Sequence, residues 1–70
     1  MKNKDLRVSV NLPENIVETL KQLAARDGIT MTEVIRKAIM TEKLLSDELK
    51  EGNKILIEDQ SKKFRQLIFR

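Results

Sequence analysis

Residues 6 to 12 read Leu-Arg-Val-Ser-Val-Asn-Leu, and this short alternating run constrains the fold more than any other part of the chain. A period of two places Leu6, Val8, Val10 and Leu12 on one face of a strand and Arg7, Ser9 and Asn11 on the other. Pro13 ends the run, because proline has no amide to give to a ladder, and no second strand pattern follows until residue 54. A lone strand leaves an open row of backbone donors and acceptors. The economical solution is pairing with its own copy. In a twofold-symmetric dimer the strand runs antiparallel to itself, with both apolar faces forming one floor beneath four helices. The opposite face then displays two copies of Arg7, Ser9 and Asn11.

The middle of the chain predicts two helices. Pro13 pre-sets the backbone for a helix start and Glu14 suits its first turn; Ile16, Val17, Leu20, Leu23 and Ala24 then recur at helical spacing, and Gly28 is placed to close the element. The first helix is expected over residues 13 to 27. Thr30-Met31-Thr32-Glu33 fits a capping box, so the second helix starts at Thr30 and runs near 20 residues to a cap at Gly52 or Asn53. Its apolar stripe is Met31, Val34, Ile35, Ala38, Ile39, Leu45 and Leu49. Met40 and Leu44 project on nearly the opposite side, which calls for cover from the C-terminal segment or another subunit.

The tail repeats an apolar pattern at short range. Residues 54 to 58 and 64 to 69 flank a polar stretch, Asp59 to Lys63, and read as a β-hairpin with a four- or five-residue connection. Ile57, Phe64, Leu67 and Ile68 also suit a short helix, although the β-rich composition favours the hairpin. The fold class is α+β, mostly α, in three parts: a flexible basic arm over residues 1 to 5, a strand and two helices over 6 to 52, and a C-terminal extension over 53 to 70.

Size makes the dimer a requirement. At 70 residues a domain buries only about 60% of the surface its unfolded chain exposes, and small folds rely on disulfides, metals or oligomers. With no cysteine and no histidine, disulfide scaffolds, thiol nucleophiles, structural zinc sites and histidine acid-base catalysis are excluded. The carboxylates Asp47, Glu48 and Glu51, interspersed with Lys43 and Lys50, read as a solvated helix face rather than a metal cluster. The chain is read as a non-enzyme with no cofactor and no metal. No apolar run exceeds three residues, far short of the roughly 20 needed to span a bilayer, so a soluble cytoplasmic protein without a membrane partner is expected.

Charge is unevenly placed within a net +3. Residues 1 to 12 hold three bases against one acid, residues 13 to 52 six against eight, and residues 53 to 70 five against two. Two basic ends around a mildly acidic middle suggest a polyanion, although for an isolated charge cluster a solvated surface is the more frequent explanation.

The order of parts, an alternating strand ending in Leu12-Pro13, a helix closed by Gly28, and Gly28-Ile29-Thr30-Met31-Thr32-Glu33-Val34-Ile35 opening the next helix, resembles the ribbon-helix-helix DNA-binding proteins of the Arc, MetJ and CopG type. The resemblance covers about residues 6 to 45. It implies a homodimer whose two-stranded ribbon enters the major groove of double-stranded DNA, with Arg7, Ser9 and Asn11 at the base-reading positions. Their chemistry suits such positions, since arginine bonds guanine bidentately, asparagine does the same for adenine, and serine bonds either. The same three residues would also serve as the solvated face of an ordinary strand.

The family clamps backbone phosphates at the start of the second helix, which here means the amides at Thr30, Met31 and Thr32 beside the positive end of the helix dipole. A capping threonine is equally what any stable helix needs. Met31 departs from the family, where a basic residue is frequent, and so supplies no extra cation. Lys2 and Lys4 precede the ribbon and would touch flanking phosphates as a mobile arm, or else form an ordinary N-terminus.

These features imply a transcriptional regulator, a repressor that occupies an operator as a homodimer or as pairs of dimers. One alternative is an antitoxin whose residues 53 to 70 hold a toxin as protein partner. Another is a dimerisation or scaffold module without DNA.

Overall fold

The computed structural model describes residues 4 to 68, and its elements follow the order α1 (Glu14–Asp27), α2 (Met31–Lys50), β1 (Leu56–Glu58) and β2 (Phe64–Gln66). The chain divides into two compact units, with the boundary between Val34 and Ile35 inside α2.

In the N-terminal unit, residues 4 to 13 lie outside any helix or sheet. The strand expected over residues 6 to 12 does not form among the described residues: the sheet found there pairs β1 with β2 alone and gives residues 4 to 13 no ladder. Pro13 is the cap of α1 rather than its first residue: its ψ of 152° is non-helical, and its carbonyl accepts from the amides of Ile16 at 3.0 Å and Val17 at 3.1 Å. The helix therefore starts one residue later than expected. Its far end closes through a pair of bonds, Gly28 N–H to the Ala25 carbonyl at 3.3 Å and Ile29 N–H to the Ala24 carbonyl at 3.0 Å. This double closure needs a left-handed residue, and Gly28 supplies it at φ 64°. Ala24 and Val34 are the buried residues here, with Val17, Leu20, Leu23 and Ile29 half-buried.

In the C-terminal unit, α2 ends with the same device. Asn53 N–H reaches the Glu48 carbonyl and Gly52 N–H the Leu49 carbonyl, each at 3.0 Å, with Gly52 at φ 84°. The Asn53 amide group also donates to the Glu48 carboxylate at 2.7 Å. Along the exposed side of α2 the Lys43 ammonium bonds Asp47 at 2.8 Å, holding that carboxyl below its ordinary range, and Ser46 Oγ donates to Glu42 at 3.0 Å.

The tail forms a two-stranded antiparallel sheet in the register Leu56↔Gln66, Ile57↔Arg65 and Glu58↔Phe64. Both strands are shorter than the runs over residues 54 to 58 and 64 to 69 suggest, and Phe69 lies outside the described residues. No helix forms among the described residues after Lys50. Asp59 organises the five-residue connection: its carboxylate accepts from the Ser61 amide at 2.9 Å, the Ser61 hydroxyl at 2.7 Å and the Lys63 amide at 3.0 Å. Those bonds hold the Asp59 carboxyl below its ordinary pKa, the Ser61 hydroxyl contributing most. They also tolerate Lys62 at φ 68°, a conformation that favours glycine.

Candidate nucleic-acid interface

The segment before Pro13 carries the two most exposed large apolar side chains among the described residues, Leu6 and Val8. Leu6 is 81% exposed, Val8 79%, Val10 66% and Leu12 41%. Arg7, Ser9 and Asn11 alternate with them and are exposed as well, and neither they nor Lys4 make a hydrogen bond or ion pair among the described residues. Lys2 lies outside the described residues. An apolar row left this open costs about 1.5–3 kcal/mol of lost burial per large side chain relative to a covered one.

The second group sits at the entry to α2. Thr30 is the cap, its Oγ1 accepting from the Glu33 amide at 3.1 Å, and its carbonyl accepts from the Val34 amide at 3.1 Å. Helix geometry leaves the amides of Met31 and Thr32 without an intrahelical acceptor, at the positive end of a 20-residue dipole. Thr30, Met31 and Thr32 are all exposed, with Met31 at 41%. Capping and anion binding are compatible here, since the cap consumes the Glu33 amide and leaves the two before it. The double closure at Gly28 and Ile29 sets the turn that delivers the chain to this cap.

A family model described as the ribbon-helix-helix protein, copG family, matches residues 7–46. The chain belongs to that family. The match begins at Arg7, covers the whole of α1 and most of α2, and stops short of β1 and β2. Searches of curated proteins and of solved structures return no significant match. CopG-type ribbon-helix-helix proteins are typically DNA-binding transcription regulators or antitoxins rather than enzymes, and they generally bind DNA as dimers.

The two residue groups predicted from sequence thus fall within the family-matched stretch, apart from Lys2 and Lys4. No His, Cys, Asp and Glu cluster that could hold a metal occurs among the described residues, and no helix there is long and apolar enough to cross a membrane. Sequence reading missed the role of Asp59, although an Asp followed two residues on by Ser is a recognisable side-chain turn signal. It also passed over Lys54 and Glu58, opposite charges placed symmetrically about Leu56.

Proposed function

We propose that two copies of this chain pair their residues 6 to 12 antiparallel and use the resulting ribbon to read an operator in the major groove, repressing transcription by occupying a promoter. The observation that carries the reading is the exposed alternation of Leu6, Val8, Val10 and Leu12 with the unengaged Arg7, Ser9 and Asn11. Pairing gives the apolar row a partner and the backbone a ladder, and it brings two copies of each polar side chain onto one surface. Arg7, Ser9 and Asn11 read bases; the amides around Thr30, Met31 and Thr32 hold phosphate, while Lys2 and Lys4 add cationic contacts to the flanking backbone. The fold is then a homodimer of four helices and an intermolecular ribbon, with the C-terminal sheet as a hairpin extension.

Selection of bound sites from random duplex DNA tests this reading. A palindromic or repeated motif is expected, with affinity falling steeply in salt at a log–log slope of about 0.9 per neutralised phosphate. A pool that stays featureless, or retention that ignores salt, overturns it in favour of a scaffold. An antitoxin role would need the tail to wrap a toxin. The ordered turn at Asp59 and the two paired strands favour the regulator, because segments that fold onto a partner are commonly unstructured without it.

A further inference from the structure

Residues 53 to 68 lie beyond the family match, and their sheet has two open edges. An isolated two-stranded sheet is marginal in water, and three or more strands are the usual threshold for independent stability. The hydrogen bonds fix which backbone groups of β1 face outward. Leu67 N–H donates to the Ile55 carbonyl at 2.8 Å and Asp59 N–H to the Lys63 carbonyl at 2.9 Å. In this register Ile55, Ile57 and Asp59 turn their backbone groups toward β2. Those of Lys54, Leu56 and Glu58 consequently point to the open edge.

We propose that this open edge of β1 pairs antiparallel with the same edge of a second copy, joining two two-stranded sheets into one of four strands. The run Lys54 to Glu58 reads Lys-Ile-Leu-Ile-Glu, and it is self-complementary when reversed. A twofold axis at Leu56 sets Leu56 opposite Leu56 of the partner subunit and Lys54 opposite Glu58 of the partner subunit, with Ile55 facing Ile57 of the partner subunit on the other face. The outward backbone groups of all three edge residues then meet outward groups. Leu56, 53% exposed, gains an apolar neighbour at the centre of two ion pairs.

Other arrangements fit worse. Parallel pairing sets Lys54 beside Lys54 and Glu58 beside Glu58. The next antiparallel register, centred on Ile57, puts Leu56 against Glu58 and leaves Lys54 outside the ladder. Pairing through the edge of β2, centred on Gln66, brings Arg65 against Leu67 and matches no charges. A charge on an edge strand ordinarily guards it against pairing. Here opposite signs at symmetric positions turn the guard into a match for one partner, the same chain reversed.

The full chain has no cysteine, so a single Leu56→Cys substitution tests the pairing directly. Across a hydrogen-bonded pair the Cα atoms stand about 5.5 Å apart, within disulfide range. Mild oxidation is expected to give covalent dimers with Leu56→Cys and monomers with Gln66→Cys, which sits on the far strand of the same face. Adding Lys54→Glu or Glu58→Lys to the Leu56→Cys chain lowers the dimer yield roughly tenfold, and the two together restore it. Equal cross-linking by both cysteine variants, or a yield that ignores the reversals or is not restored by the swap, overturns the proposal. DNA retention by the same variants reports separately on residues 7 to 46, so failure of one reading leaves the other intact.

Discussion

The amide of Ile29 donates to the carbonyl of Ala24 at 3.0 Å, so α1 is closed by the residue that immediately precedes the Thr30 cap of α2. This closure depends on Gly28 at φ 64°, where no neighbouring atom lies within 4 Å of an added Cβ. The cost of a side chain there is backbone strain rather than collision. Gly28→Ala is expected to lose about 1–2 kcal/mol of stability, read as a lower midpoint in denaturant at fixed protein concentration.

Thr30 separates capping from phosphate binding. Thr30→Ala removes the acceptor for the Glu33 amide and is expected to cost about 1 kcal/mol of stability. Thr30→Asp keeps an acceptor there and suits the helix dipole, so stability is retained. It also places a carboxylate where the proposed phosphate sits. DNA retention should therefore fall with Thr30→Asp while the unfolding midpoint holds, a pattern that a purely structural threonine would not produce.

Much of this was legible from punctuation. Pro13, Gly28, Thr30 and Gly52 mark the helix ends because each satisfies a local backbone demand that the sequence states outright, and the shift of α1 by one residue reflects Pro13 acting as cap. The alternation of residues 6 to 12 is plain in the sequence, but a strand needs a ladder, and residues 4 to 13 have none among the described residues. The apolar stripe of α2 is likewise open, with Ile35 at 42% and Ile39 at 62% exposure. The tail is legible only coarsely, since the turn is closed by the Asp59 carboxylate folding back over the Ser61 and Lys63 amides, a contact that hydrophobic alternation does not signal.

Asp59 makes the tail acid-sensitive. Its carboxyl is held below the ordinary value of 3.8 by bonds made only in the folded turn, so its contribution is fully present above that value and is lost as pH falls through the lower folded one. The Lys63 amide resonance is expected to titrate with a midpoint below 3.8 in the wild-type chain. Asp59→Asn keeps an acceptor without the charge, and its Lys63 resonance should stay flat over the same window. Lys62→Gly relieves the left-handed strain at φ 68° and should stabilise the turn by about 0.5 kcal/mol.

The proposed self-pairing of residues 6 to 12 would make stability depend on protein concentration, because the partner would act as a ligand of the folded chain. The thermal midpoint is expected to rise as the protein is concentrated. Val8→Glu sets a charge in the apolar row, at a side chain 79% exposed in the single chain. A residue that merely sits in solvent would tolerate the change. In a ribbon floor it buries two unpaired carboxylates per dimer, so loss of cooperative unfolding is the expected result.

Arg7 and Lys4 are exposed cations three residues apart, without an ion-pair partner among the described residues, and they should fail in different ways. Arg7 falls on the side of the alternation proposed to read bases, so Arg7→Ala is expected to cost about 1–3 kcal/mol on the selected site and to relax preference at one base position in each half-site. On the proposed reading Lys4 precedes the ribbon and contacts phosphate, so Lys4→Ala should weaken binding evenly across sequences and reduce the salt slope by about 0.9 for each phosphate it no longer neutralises. Titrating each variant against the selected site and a scrambled one, at several salt concentrations, distinguishes the two. If Arg7→Ala weakened both sequences equally, Arg7 would be a phosphate contact, and base reading would rest on Ser9 and Asn11.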